Sequence, residues 1–150
     1  MMIEEQPLEI LDRAALPARA ITLAKEGWRL VQVCCSFREQ YEVTYSFDRA
    51  YHFLSLRVAV PKADPTLPSI TESYFGAFSY ENEMQDLFGL KLTGLKLNFN
   101  GNFYRLAKKN PFLNDPTSVP ACGVPMGISV ASPASPGAES EPAITPPAKP

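Results

Sequence analysis

Tyr41-Glu42-Val43-Thr44-Tyr45-Ser46-Phe47-Asp48 alternates large apolar and polar side chains without a break. A period of two is the mark of a half-buried β-strand, with Tyr41, Val43, Tyr45 and Phe47 on one face and Glu42, Thr44, Ser46 and Asp48 on the other. The neighbouring stretches read the same way. Upstream, Arg29 to Phe37 carries Leu30, Val31 and Val33, and Ser36 to Gln40 supplies a turn. Downstream, Asp48-Arg49-Ala50 makes a tight connection into Tyr51 to Val60. There Leu54, Leu56, Val58 and Val60 share a face before Pro61 stops the run. Three strands joined by short turns make an antiparallel meander.

Helices flank this meander in the sequence. Pro17 suits the first turn of a helix that continues through Ile21, Leu23 and Ala24 to Lys25, with Gly27 free to take the left-handed closing position. After the loop Lys62 to Pro68, Ser69-Ile70-Thr71-Glu72 has the form of a capping box opening a short helix that closes at Gly76. Ser79 is placed to cap another, with Tyr80, Met84 and Leu87 in one stripe and Gly89 at its end. Leu95, Leu97 and Phe99 then alternate, and Asn100-Gly101 is a two-residue hairpin signal with Asn102 to Leu106 returning.

The fold class that follows is α+β: a single domain with a small antiparallel sheet, a mixed one being the alternative, and helices packed on one face. Composition divides the chain into an N-terminal extension (residues 1–16), the domain (17–112) and a Pro/Ala/Ser-rich tail (113–150). Ten of the fifteen prolines fall from Pro111 onward, and no aromatic residue follows Phe112. Such a segment buries too little apolar surface to offset chain entropy, so it is expected to be disordered or an extended arm.

Several function classes are disfavoured at once. A net charge of −2 lacks the basic stripe that phosphates demand, so no nucleic-acid partner is expected. No apolar run reaches the length of a membrane span, and the acidic start Met1-Met2-Ile3-Glu4-Glu5 is unlike an export signal. A cytoplasmic protein is expected, meeting a membrane only through partners. Cys34 and Cys35 are adjacent, so in a strand they point to opposite faces; Cys122 stands alone in the tail. No pair has the spacing of a metal or redox motif, so no cofactor is expected in this chain. His52 is read as a structural hydrogen-bonder, Trp28 as a packing residue, and Lys108-Lys109 as a solvated patch that could also meet a partner. Tyr74, Phe75, Phe78 and Tyr80 crowd more aromatic surface into seven residues than a small domain easily covers, and any remainder would mark a docking face.

The stretch richest in chemistry is Tyr80-Glu81-Asn82-Glu83-Met84-Gln85-Asp86-Leu87-Phe88-Gly89-Leu90. At about 100° per residue, Glu83 borders the apolar stripe beside Leu87 and Glu81 lies on the opposite flank. Asp86 sits at the helix C-terminal end, where the dipole disfavours an anion. A carboxylate beside buried apolar groups needs a cation or several amides to receive it. Lys91 is the only basic residue between positions 78 and 92, so the partner charge must come from elsewhere in the fold or from another chain. Three readings compete for this helix. It can be a solvated amphipathic face, an acid/base group made of Glu81, Glu83 and Asp86, or a docking edge. The acid/base reading is the weaker functional one, because residues two apart on a helix diverge and no nucleophile or metal set accompanies them.

The segment resembles the signature of the 30-kDa subunit family of respiratory complex I, shared with the corresponding small subunit of energy-converting membrane-bound [NiFe] hydrogenases. That signature is Glu-Arg-Glu, two residues, then Asp-(Leu or Met)-Phe-Gly-(Ile or Leu). Glu81, Glu83, Asp86, Leu87, Phe88, Gly89 and Leu90 match it in type and spacing. Pro68-Ser69-Ile70-Thr71 resembles the family's Pro-Ser-Ile run, and Tyr51-His52-Phe53 the start of one of its strands, so the resemblance spans about residues 20 to 95. Asn82 stands where the family has arginine, and Gly94-Leu95-Lys96 where members often carry Gly-His-Pro.

The resemblance implies a non-catalytic structural subunit that holds a catalytic large subunit and a small iron–sulfur subunit together. It would lie on the cytoplasmic side of a membrane arm, with the iron–sulfur and nickel–iron centres in those partners. The two departures, with the Pro-rich tail in place of a respiratory subunit's long arm, favour the hydrogenase branch, ferredoxin- or CO-linked, over NADH:quinone oxidoreductase. The signature residues Glu81, Glu83, Asp86, Leu87, Phe88, Gly89 and Leu90 are then the candidate partner interface. A stand-alone enzyme and a free-standing interaction module remain as alternatives.

Overall fold

The computed structural model describes residues 6–113. The meander forms as its alternation requires. Strands β2 (Arg29–Phe37), β3 (Tyr41–Arg49) and β4 (His52–Val60) pair antiparallel, with Tyr45 opposite both Val33 and Leu56, and Val43 opposite Val58. Tyr41, Val43, Tyr45 and Phe47 are all buried, while their polar neighbours stay half-exposed. A bulge between Leu30 and Gln32 interrupts the β2–β3 register. The β3–β4 turn is Ala50-Tyr51, both at positive φ (50° and 67°), the twist a two-residue hairpin wants.

The sheet is wider than the meander. Strand β1 (Leu8–Leu11) runs parallel to β4 and completes the order β1-β4-β3-β2, so the sheet is mixed. Composition alone places residues 8–11 in an extension outside the domain, and the structure corrects this. Four residues are too few to carry a clear local signature, and pairing with β4 is what makes them a strand. The bidentate ion pair of Glu9 with Arg19, at 2.8 and 2.9 Å, ties this edge to helix α1 (Leu16–Lys25). That helix has Pro17 in its first turn, closes at Gly27 (φ 80°), and buries Leu16, Ala20 and Leu23 in the same core as the inner face of the sheet.

The second half departs from expectation in two places. Ser69 to Glu72 does not open a helix. Residues 71–73 make a turn after the short strand β5 (Thr66–Pro68), which pairs parallel with β6 (Lys91–Thr93). The backbone N–H of Ser69 is taken by the Thr93 carbonyl, and its side chain is engaged elsewhere, so neither is free to cap. Among the described residues the only helix after the sheet is α2 (Ala77–Phe88), which starts at Gly76 without a side-chain cap and ends at left-handed Gly89 (φ 71°). Residues 95–106 likewise form no hairpin strands. The Asn100-Gly101 turn itself exists, both residues at positive φ and closed by the Asn102 N–H on the Phe99 carbonyl, but Leu97, Phe99 and Tyr104 bond to α2 and no strand ladder forms. Among the described residues no helix is long and apolar enough to cross a membrane. Cys122 and the tail from residue 114 lie outside the described residues.

Candidate functional site

The polar side of α2 faces inward. Glu81 and Asn82 are fully buried and Asp86 nearly so, whereas Glu83, Leu87, Phe88 and Gly89 are half-buried and Leu90 is buried. The expected stripe holds at Met84, which is buried, and at Tyr80, which packs on the core, but Glu81 on the opposite flank is buried as well. A helix wedged between a sheet and a covering loop has two inner sides. The one facing the loop is polar here because the loop's backbone needs partners.

Glu81 is received by neutral donors. Its Oε1 accepts the Ile70 N–H at 2.9 Å and its Oε2 accepts the Ser69 hydroxyl at 2.5 Å. Ser69 Oγ accepts the Thr71 N–H at 3.0 Å and lies 2.6 Å from Thr71 Oγ1, which accepts the Lys96 N–H at 3.0 Å. With the Ser69 proton committed to Glu81, the Thr71 proton must lie toward Ser69, and the chain runs unbroken from the Lys96 amide to the carboxylate. Among the described residues no cation pairs with Glu81. Burial therefore outweighs its hydrogen bonds to Ser69 and Ile70 and lifts its pKa to about 7. The Tyr45 hydroxyl, buried and without a hydrogen-bond partner among the described residues, is pushed well above its usual range by burial and then by the Glu81 charge.

Asn82 and Asp86 fasten the segment that follows β6. The Asn82 amide nitrogen donates to the Leu97 carbonyl at 2.8 Å and to the Phe78 carbonyl at 2.7 Å, while its oxygen accepts the Phe99 N–H at 2.8 Å. Asp86 Oδ2 accepts the Tyr104 N–H at 2.6 Å. This is why an anion is tolerated at the unfavourable helix end. The last carbonyls of α2 are also satisfied: Asp86 accepts the Asn110 N–H at 3.2 Å and Leu87 the Phe112 N–H at 3.0 Å. Glu83 accepts the Tyr104 hydroxyl at 3.1 Å.

Residues 10–98 match the family model described as the respiratory-chain NADH dehydrogenase 30-kDa subunit. The chain belongs to this family. Its α2 and the Pro68-Ser69-Ile70 run both fall in the matched region, and the structure joins them through Glu81. Two relatives of known type are the C subunits of NADH-quinone oxidoreductases. One, from Jannaschia sp., is 45% identical over 56 residues, 32% of this chain and 27% of the relative. The other, from Roseiflexus castenholzii, is 39% identical over 56 residues, 32% of each chain. The match thus spans no more than a third of those relatives' length.

Two solved structures share the family's fold. The trypsin-resistant fragment (1–134) of Nqo5 aligns with TM-score 0.54 and 24% identity, covering 60% of this chain and 80% of the fragment. A chain of the membrane-bound sulfane sulfur reductase, an archaeal respiratory membrane complex, aligns with TM-score 0.62 and 12% identity, covering 74% of this chain and 70% of that one.

Two carboxylates of the signature are thus answered within this chain. Glu81 is enclosed and Asp86 is turned toward residue 104, so neither projects into solvent. Sequence reasoning singles out Ser69 for a different task and misses Thr71, Tyr104 and Asn110. It flags Asn82 only as a departure, although a buried amide between two acids is itself a signal of backbone contacts. The aromatic surplus does surface. Phe75 is 59% exposed and Val31 38%. With Leu30, Tyr74 and Tyr80 they line an open groove of about 360 Å³ between α2 and the β2 edge of the sheet. Cys34 is exposed and Cys35 half-buried, its thiol pushed up to about 12 by burial and by the adjacent Cys34.

Proposed function

We propose that this chain is a non-catalytic structural subunit of a membrane-associated, complex I-like redox complex. The observation that carries this reading is the enclosure of Glu81. Glu81, whose pKa burial lifts to about 7, is sealed inside the fold, bound to Ser69 and Ile70, while apolar surface stays open in the groove beside Tyr80 at the start of the same helix. A buried carboxylate out of reach of substrate stiffens a scaffold and does not turn one over. Its partners would be the catalytic large subunit and the small iron–sulfur subunit. They hold the iron–sulfur and, in the hydrogenase branch, nickel–iron centres, this chain carries no cofactor, and the complex lies on the cytoplasmic side of the membrane.

Of the two branches, the membrane-bound [NiFe] hydrogenase (ferredoxin- or CO-linked hydrogen evolution coupled to ion translocation) is supported by two departures from the family pattern, Asn82 in place of arginine and Gly94-Leu95-Lys96 where members often carry Gly-His-Pro. NADH:quinone oxidoreductase is favoured by the 45% and 39% identity to members of that complex over short stretches. Isolation through a tag on this chain tests both levels. The expected result is a large subunit and an iron–sulfur subunit recovered with it, iron in the complex, and no activity from the chain alone. Turnover by the isolated chain would reject the structural role. Hydrogen evolution lost from membranes of a deletion strain selects the hydrogenase branch; NADH:quinone activity lost instead selects the other.

A further inference from the structure

The hydrogen-bond chain at Glu81 can place its protons in two ways. Ser69 Oγ accepts the Thr71 N–H at 3.0 Å in both. With the carboxyl ionised, the Thr71 hydroxyl donates to Ser69 Oγ at 2.6 Å and Ser69 donates to Glu81 Oε2 at 2.5 Å, so every donor is matched. What remains is a charge enclosed without a cation. A proton taken up by the carboxyl must sit on Oε2, because Oε1 accepts the Ile70 N–H. Oε2 then donates to Ser69 Oγ, and Ser69 turns its own proton to Thr71 Oγ1. That oxygen now accepts from both Ser69 and the Lys96 N–H, and the Thr71 proton has no acceptor among the described residues. Thr71 is only 2% exposed, so water does not serve it where it stands. Rotation of the side chain frees the hydroxyl but takes Oγ1 away from the Lys96 N–H.

We infer that Glu81, Ser69 and Thr71 form a proton-operated latch, which grips the segment after β6 at Lys96 when the carboxyl is ionised and releases it when the carboxyl is protonated. Each form carries one unfavourable feature, a buried charge or an unmatched donor, and the proton exchanges one for the other. Burial brings the balance to about pH 7. The groups facing Glu81 do not titrate with it. Tyr45 on β3 is held neutral by its own burial, and Cys35, which acts on Tyr45, has its thiol pushed up to about 12. Lys96 turns its ammonium to Glu72 at 3.5 Å, and on α2 itself Glu83 and Asp86 are bound to Tyr104. Asn82 and Asp86 hold Leu97, Phe99 and Tyr104 in either form, so release is confined to the start of the segment. The latch goes beyond the structural-subunit reading and does not depend on it.

The test is a pH titration of the full chain by NMR, with amide exchange measured at both ends of the range. In the wild type the Ile70 and Lys96 amide resonances should move together, with one midpoint at about pH 7. Relative to its intrinsic rate, exchange at Lys96 should be about fivefold faster at about pH 5 than at about pH 8, while the β3 amides are no less protected. Glu81→Gln puts an amide N–H where Oε2 stands and keeps an oxygen for Ile70, so it imitates the protonated form. It should abolish both titrations and hold Lys96 at its fast value throughout. Ser69→Ala cuts the chain but leaves the Ile70 bond. Ile70 should then still titrate, at a higher midpoint because the Ser69 bond favours the ionised form, and Lys96 should not. Exchange at Lys96 that is equal or slower at the lower pH overturns the latch, and this wild-type result decides even if a variant fails to fold. A Lys96 titration that survives Ser69→Ala also overturns it, since the charge then reaches Lys96 through space and not through the hydroxyls. So does a Glu81→Gln chain that keeps Lys96 at its slow value.

Discussion

The sheet and the wrap around α2 are held by opposite means. Between β2, β3 and β4, ladder hydrogen bonds satisfy the backbone and the inner face is filled by side chains such as Val43, Tyr45, Phe47, Leu56 and Val58, all fully buried. From Thr66 to Leu113 there is little ladder. Two three-residue strands pair, α2 and short turns satisfy much of their own backbone, and the segments laid against α2 are fastened by buried polar side chains: Glu81 for Ile70, Asn82 for Leu97 and Phe99, Asp86 for Tyr104. A core made of many small apolar contacts tolerates local error but fails as a unit. A wrap fastened by three side chains is specific, and each of them serves its own stretch of backbone.

The largest effect should come from the apolar side. Phe47 is fully buried and its ring lies 5.2 Å from that of Tyr74, so Phe47→Ala removes the residue that joins the sheet to the turn before α2. The expected loss is about 3–5 kcal/mol, spread over the whole domain. Denaturant unfolding followed by tryptophan fluorescence and by far-UV dichroism should shift together. Separate midpoints would mean that the two regions unfold independently, and the contrast would then be one of stability as well as of chemistry.

Glu81 supplies a sharper probe of the polar side, because it can be weighed by pH. Its folded-state pKa of about 7 lies above the ordinary carboxylate value of 4.5. Between those values the folded chain holds a proton that the unfolded chain releases, so stability is greatest at low pH and falls as pH rises through the window. From about pH 5 to about pH 8 the loss from this group is about 2–3 kcal/mol. The lowered pKa of Glu9, paired with Arg19, works in the opposite direction but below the ordinary value of 4.5, outside that range. In Glu81→Gln, which keeps an oxygen for the Ile70 N–H, most of the slope between the two pH values should vanish. A slope that survives the substitution would assign it to another group.

These two regions also differ in how far the sequence announces them. The meander is readable to within a residue because side-chain alternation and turn residues are local signals, and Tyr41 to Asp48 contains them all. Helix α1 is equally open, with Pro17 and Gly27 marking its ends. Strand β1 is not, since Leu8–Leu11 becomes a strand only by meeting β4. In the second half the pattern points to the right residues and assigns them the wrong partners. Ser69 has the form of a cap, yet its hydroxyl serves a carboxylate twelve positions on. Asn100-Gly101 makes its turn, yet the segments around it answer to Asn82 and Asp86. Polar contacts between residues far apart in the chain leave no periodic trace, so the family signature is recognisable while its internal purpose stays hidden.

Asn82 sets the smallest and most local test of the contrast. The family pattern has arginine here, and this chain has a side chain short enough to present both a donor and an acceptor to one stretch of backbone, Leu97 to Phe99. Asn82→Ala would leave the Phe99 N–H and the Leu97 carbonyl without their partner. Leu97 and Phe99 are themselves 42% and 40% exposed, so water can replace much of what is lost, and the cost should be only about 1–2 kcal/mol. That cost should appear in one place. Amide exchange at residues 95–106 should accelerate by about tenfold, while the amides of β3 and β4 keep wild-type protection. The Tyr104 tether to Asp86 stays in the variant, so residues 104–113 should respond less than 95–100. Uniform acceleration across sheet and wrap would show that Asn82 supports the whole core, and the division between an apolar body and a polar clasp would have to be redrawn.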